Sequence, residues 1–128
     1  MAIRIEHPLD QEADSVWAVV GDPARIDWVP GVERCDLQDD VRRFKMTGAG
    51  ELAERIVSRD AERRRLEYSV IESTPPLQAH RAAIEVVPRD EGCVLIWETE
   101  VRPEAVEPFI RRSMEGALAQ LEAVLGSR

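Results

Sequence analysis

The chain has 128 residues, enough for one hydrophobic core and too few for two ordinary domains, so we predict a single domain over residues 1–128. Its 25 acidic and 17 basic residues give a net charge of −8, which repels nucleic acid backbones and anionic membrane surfaces. Two distant cysteines and the absence of a signal peptide or a membrane-spanning apolar run predict a cytoplasmic protein without membrane insertion.

The first strand and two short helices are predicted near the start of the chain. Residues 2–7 alternate apolar and charged side chains, the period of a strand with one buried face. Apolar side chains then recur at helical spacing over 13–20, and the Gly-Asp-Pro that follows ends this helix. Residues 24–28 are predicted as a second short helix, before a Pro30-Gly31 turn into the next strand.

The middle of the chain is predicted to form hairpins. Runs rich in alternating apolar residues are separated by short turns that contain glycine, proline or aspartate. Because the connections are this short, neighbouring strands must run antiparallel. The predicted strands are 32–35, 41–47, 50–59, 64–73, 78–88 and 92–101.

The last segment, from about Pro103, is predicted to be a long amphipathic helix. Pro108 lacks a backbone donor, so we expect the regular helix to begin, or to bend, between Val106 and Pro108. One face of this helix is apolar and predicted to pack on the sheet, and it carries Val106, Ile110, Met114, Ala117, Leu121 and Leu125.

Three sequence motifs carry a resemblance to a known superfamily. They are Val16-Trp17 with Asp22 and Trp28-Val-Pro-Gly31, the segment from Tyr68 to His80, and Gly92-Cys-Val-Leu-Ile-Trp97. In this order the chain resembles the START-like SRPBCC superfamily, in particular its bacterial polyketide cyclase/dehydrase branch. The resemblance implies an α+β helix-grip fold, in which a curved antiparallel sheet of about seven strands surrounds the C-terminal helix. It also implies two short helices between the first two strands and a ligand pocket between sheet and helix.

Strand alternation selects candidate side chains for this pocket. Tyr68 and Glu72 share one face of their strand, and His80, Trp97 and Glu54 are predicted to face the same interior. A buried carboxylate beside an imidazole can exchange protons near neutral pH. His80 with Glu72 or Glu54 is therefore a candidate acid–base pair, with Tyr68 donating a hydrogen bond to a developing oxyanion. The alternative is that Glu72 lies in water at the rim and His80 is an interior residue with its hydrogen bonds satisfied.

Other residues are considered as ligand contacts or as surface residues. The resemblance places Trp28 in a lid over the pocket mouth, where ligand contact and simple packing explain it equally well, whereas Trp97 is better explained by core packing. Ser113 lies near the apolar stripe of the last helix and is a candidate polar contact to ligand. The arginines at 42–43 and 63–65 are interpreted as solvated residues of hairpin turns. No phosphate loop or metal-ligand spacing is present, so we expect neither a cofactor nor a metal.

Two functions of different classes fit the sequence. The preferred one is a ligand-binding domain whose cavity holds a small hydrophobic molecule: a lipid, a polyketide or another apolar metabolite. The alternative is a polyketide cyclase, aromatase or dehydratase that uses His80 and a pocket carboxylate. A macromolecule-binding member of the superfamily is a third possibility, although the acidic charge opposes a ribosomal role. We expect a monomer or a homodimer, without a nucleic acid partner.

Overall fold

The computed structural model describes residues 2–47, 50–74 and 76–126. Within these ranges the chain forms seven strands, a short helix after the first strand and a long C-terminal helix. The strands are β1 (Ala2–Leu9), β2 (Val32–Gln38), β3 (Val41–Met46), β4 (Gly50–Asp60), β5 (Arg65–Glu72), β6 (Ala79–Pro88) and β7 (Cys93–Arg102). The helices are α1 (Ala13–Val20) and α2 (Glu107–Gly126).

The seven strands form one antiparallel sheet in the order β1-β7-β6-β5-β4-β3-β2. Each hairpin from β2 to β7 places a strand beside its predecessor, and β1 completes the sheet next to β7. Alternate residues of the strands turn apolar side chains to one face, where they pack against α1 and α2. The helix-grip fold predicted from the sequence is confirmed.

The segment 21–31 between α1 and β2 differs in detail from the second short helix expected there. It consists of consecutive turns, closed by hydrogen bonds from Arg25 N to Asp22 O at 3.1 Å and from Val29 N to Ile26 O at 2.9 Å. Gly31 has a φ of +80°, a conformation that favours glycine, and it directs the chain into β2. We call residues 21–31 the turn segment.

Helix α2 begins at Glu107, within the interval from Val106 to Pro108 that the position of Pro108 predicts. A short 3-10 helix, Glu104–Val106, precedes it, and Pro108 occupies its first turn, where a missing backbone donor breaks no helical hydrogen bond. Among the described residues, no helix is long and apolar enough to cross a membrane. The face of α2 that packs on the sheet carries the buried residues Met114, Ala117, Leu118, Leu121 and Leu125.

Candidate ligand-binding site

Tyr68 and Trp97 lie on the face of the sheet that α2 covers, as strand alternation predicts. Their side chains are only 9% and 6% exposed, and Trp97 Nε1 donates a hydrogen bond of 3.0 Å to Tyr68 Oη. Burial, together with the nearby charge of Glu54, raises the pKa of Tyr68 well above its ordinary range. The phenol is therefore protonated at neutral pH and keeps its O–H as a hydrogen-bond donor.

Glu54 also faces this interior, where it forms an ion pair that strand alternation alone does not predict. Arg42 on β3 donates to Glu54 Oε1 from Nε at 2.9 Å and from Nη2 at 2.8 Å. The side chains are about nine-tenths buried, with exposed fractions of 10% and 12%. Burial raises the pKa of Glu54, although the charge and hydrogen bonds of Arg42 oppose that shift.

Arg42 connects several parts of the site. Its guanidinium carbon lies 5.3 Å from the ring centre of Phe44 and 5.1 Å from that of Tyr68. Its Nη1 also donates to the carbonyl oxygen of Pro23, in the turn segment, at 3.1 Å. The prediction that the arginines at 42–43 are solvated is therefore wrong for Arg42. The signal was available, because Arg42 stands two residues before the apolar Phe44 on one strand.

Trp28 closes the site from the turn segment. Its side chain is 7% exposed, and its ring centre lies 5.6 Å from that of Trp97 with the two planes tilted by 56°. Side chains from the sheet and from α2 hold the segment through its carbonyl oxygens. Besides the bond from Arg42, Arg59 Nε donates to Gly21 O at 2.6 Å and Gln120 Nε2 donates to Asp27 O at 3.2 Å.

His80 is held as a neutral hydrogen-bond acceptor. The β5–β6 pairing is last seen at Tyr68 and Ala82, and beyond it the backbone N–H of Val70 donates to His80 Nδ1 at 3.0 Å. Burial lowers the pKa of His80 to about 4. Because Nδ1 accepts a hydrogen bond, the ring proton of the neutral form is on Nε2. Its basic lone pair is thus already engaged.

Glu72 lies on the opposite face of the sheet, contrary to the prediction from strict alternation. The β4–β5 register shifts beside the Ala53–Glu72 pair. Because of this bulge, the side chain of Glu72 lies on the face of the sheet opposite to the one that strict alternation predicts. Arg43 binds the Glu72 carboxylate at 2.6 Å, and that hydrogen bond lowers the pKa of Glu72. Among the described residues, no carboxylate is hydrogen bonded to His80, so neither predicted acid–base pair is formed.

The remaining candidates lie nearer the surface. Ser113 is exposed, whereas its neighbour Met114 is buried and accepts a hydrogen bond from Thr99 Oγ1 at 3.4 Å. His80 borders a cleft of about 300 Å³ at the ends of β6 and β7, which is also lined by Arg102. In the ranges that the structure describes, no group of three or more acidic, histidine or cysteine side chains is arranged to hold a metal ion.

Comparison with solved structures identifies the same fold in other proteins. A protein from Bacillus thuringiensis has a TM-score of 0.87 with 17% identity, over 98% of both chains. Norcoclaurine synthase from Thalictrum flavum, solved with dopamine and hydroxybenzaldehyde, has a TM-score of 0.78 with 24% identity, over 100% of this chain and 87% of that one. At these identities the likeness shows the fold.

A nearer likeness comes from a Thermobifida fusca protein solved by NMR, with 30% identity and a TM-score of 0.80 over 98% of this chain and 93% of that one. A search of the curated proteins found no match. The family model described as polyketide cyclase / dehydrase and lipid transport matches residues 3–126. Since this match covers nearly the whole chain, the protein belongs to that family and has its ligand-binding, START-like SRPBCC fold.

Proposed function

We propose that this protein binds a small, mainly apolar molecule, such as a lipid, a polyketide or another apolar metabolite, between the sheet and α2. Arg42, Glu54 and Tyr68 supply the polar contacts, and Trp28 and Trp97 supply aromatic walls. The observation that carries the proposal is the buried Arg42–Glu54 ion pair on the face that α2 covers. It places two charges where a purely structural core needs none.

The energetics of buried charges support a role in recognition. Removing two charges from water costs several kcal/mol per ion, roughly, and well-packed apolar side chains of similar volume often stabilise a fold as well or better. The Arg42–Glu54 pair therefore adds little to the stability of this domain relative to an apolar pair. A few polar groups in an otherwise apolar interior are typical of sites that orient small ligands.

Entry of the ligand is assigned to the turn segment. Residues 21–31 form turns and no regular helix or strand, and Trp28 extends from them into the interior beside Trp97. Displacing Trp28 would open space against Trp97 without breaking the sheet. Between Pro23 and Val29 the segment is tied to the sheet and to α2 through side chains, which rearrange more easily than a backbone ladder, while backbone bonds fix its two ends, from Gly21 N to Trp17 O and from Thr47 N to Gly31 O.

The alternative function, a cyclase or dehydratase with His80 as acid or base, has less support. A base whose pKa is about 4 accepts a proton weakly at neutral pH, and Nδ1 already accepts the bond from Val70. Glu72, its expected partner, is bound to Arg43 on the outer face. Binding without turnover therefore fits the site better.

The test is thermal unfolding against fatty acids, isoprenoids, phenolic polyketides and steroids, followed by product analysis of every hit. A ligand at about one hundred times its dissociation constant adds roughly 2.7 kcal/mol to the stability of the folded state. The Arg43→Met variant is the control, because Arg43 adjoins Arg42 but lies on the outer face, and it should retain binding. A panel without hits contradicts the proposal, and a hit returned chemically altered replaces it with the enzymatic alternative.

A further inference from the structure

One oxygen of the buried Glu54 carboxylate has no hydrogen-bond donor in the part of the chain that the structure describes. Both bonds from Arg42 end on Oε1. Oε2 of the same group receives no hydrogen bond from the described residues. The Glu54 side chain is only 12% exposed, and a carboxylate in such surroundings binds a donor strongly, because the protein interior screens charge weakly. The site therefore offers one strong acceptor.

Tyr68 supplies a donor beside that acceptor. Its oxygen accepts the bond from Trp97 Nε1, which leaves its own O–H to donate, and the described residues offer it no acceptor within hydrogen-bond distance. The Tyr68 ring lies 5.1 Å from the guanidinium carbon of Arg42, the same group that holds Glu54. A donor and an acceptor thus flank one guanidinium.

We propose that the ligand of this site is an uncharged molecule whose head group is a hydroxyl, which donates to Glu54 Oε2 and accepts from the Tyr68 O–H. This inference rests on the proposed function and specifies its ligand class. A hydroxyl is the smallest group that donates one hydrogen bond and accepts another through a single atom. It suits an acceptor and a donor on paired strands, since Glu54 of β4 pairs with Val70, two residues along β5 from Tyr68.

The charges of the site exclude the two obvious competitors. Arg42 and Glu54 neutralise one another, so a ligand carboxylate placed here would meet Glu54, and a ligand ammonium would meet Arg42, without a free counter-charge. Burial already raises the pKa of Glu54, which shows how little this environment favours negative charge. An uncharged head group carries no such penalty.

The experiment compares head groups on constant skeletons by isothermal titration calorimetry at pH 7. One set is 2-naphthylmethanol, 2-naphthoate and 2-naphthylmethylammonium, and the other is decan-1-ol, decanoate and decylammonium. We expect the alcohol of at least one set to bind about tenfold or more tightly than its charged relatives, as expected when an unpaired charge is buried. Equal or tighter binding of the carboxylate or the ammonium overturns the inference and leaves the proposed function intact.

Two variants examine the assigned atoms. Glu54→Gln leaves the charge of Arg42 uncompensated, so the carboxylate should overtake the alcohol. Tyr68→Phe removes one hydrogen bond and should weaken the alcohol about fivefold to tenfold, with little effect on the charged probes. The Arg43→Met control should keep the ranking of the unmodified protein. An unchanged ranking in folded Glu54→Gln also overturns the inference.

The six-probe titration of the unmodified protein tests the head-group preference even where a variant does not fold. If none of the six probes binds, the interior does not accept small apolar molecules of either shape. That result contradicts the proposed function itself, and the inference falls with it. Failure of the head-group preference and failure of ligand binding are therefore distinguishable.

Discussion

The buried interior has an apolar half and a polar half. The apolar half, which we define by Val16, Val20, Leu95 and Leu121, is 0–2% exposed and packs α1 and α2 against the sheet. The polar half, defined by Arg42, Glu54 and Tyr68, is almost as well buried but carries an ion pair and a phenol. Burial thus serves two purposes, since the first half stabilises the fold and the second presents hydrogen-bonding groups.

Breaking the ion pair should have the largest effect. Arg42→Met leaves Glu54 buried without its partner, and we expect it to lower the free energy of unfolding by about 3–5 kcal/mol. The double variant Arg42→Met/Glu54→Leu should recover most of that loss, since no charge stays buried. Denaturant unfolding measures both. A single variant that costs less than about 1 kcal/mol would contradict the assignment of a buried charge pair.

The apolar half should respond through packing alone. Leu121→Ala removes a fully buried side chain of α2, and we expect a loss of about 2–5 kcal/mol in the free energy of unfolding. Because no charge is involved, the loss should be the same at low and high salt. Denaturant unfolding in 0.05 M and 0.5 M sodium chloride checks this. A strong salt dependence would show that the two halves are energetically coupled.

Acid should change the charge of His80, whose ring centre lies 5.9 Å from that of Tyr68 at the edge of the polar half. Its pKa in the folded protein is lowered to about 4 from an ordinary 6.5, so its contribution to stability is present above pH 6.5 and lost as pH falls towards 4. The loss is at most about 3.5 kcal/mol, at about 1.4 kcal/mol for each pH unit. The His80→Asn variant, whose side-chain oxygen can accept from Val70, should lose less stability over that range in matched unfolding titrations. Parallel curves for the two proteins would contradict the shifted pKa.

The smallest effect should come from the outer face. Arg43→Met breaks an ion pair with Glu72 in which both side chains are about 60% exposed, so the unfolding temperature should not change measurably. The pKa of Glu72, which Arg43 lowers, should move back up. A carboxyl-detected NMR titration follows that shift. A marked loss of thermal stability would contradict the distinction between the buried ion pair of Arg42 and the exposed ion pair of Arg43.

Most of the fold could be predicted because it follows from local pattern. Strand alternation, short turns and a single amphipathic stripe located β3 to β7 and α2 to within a few residues. Alternation also placed Tyr68 and Trp97 in the interior, where the structure has them. Their role as ligand contacts stays a prediction.

The errors in the site came from features without a local signature. The bulge between β4 and β5 depends on pairing between strands, so nothing within the sequence around Glu72 signals that its side chain is turned outward. Arg42 was grouped with Arg43 by charge, although period-two alternation separates them. The partner of His80 is the backbone N–H of Val70, and residue identities carry no sign of such a contact.

The contact between Val70 and His80 has a spectroscopic consequence. It joins two nitrogen atoms through one proton, and in a uniformly ¹⁵N-labelled sample both are magnetically active. Scalar coupling across that hydrogen bond would therefore connect a backbone amide directly to an imidazole nitrogen. The same resonance would report, without any mutation, when the ring takes up a proton and releases the amide.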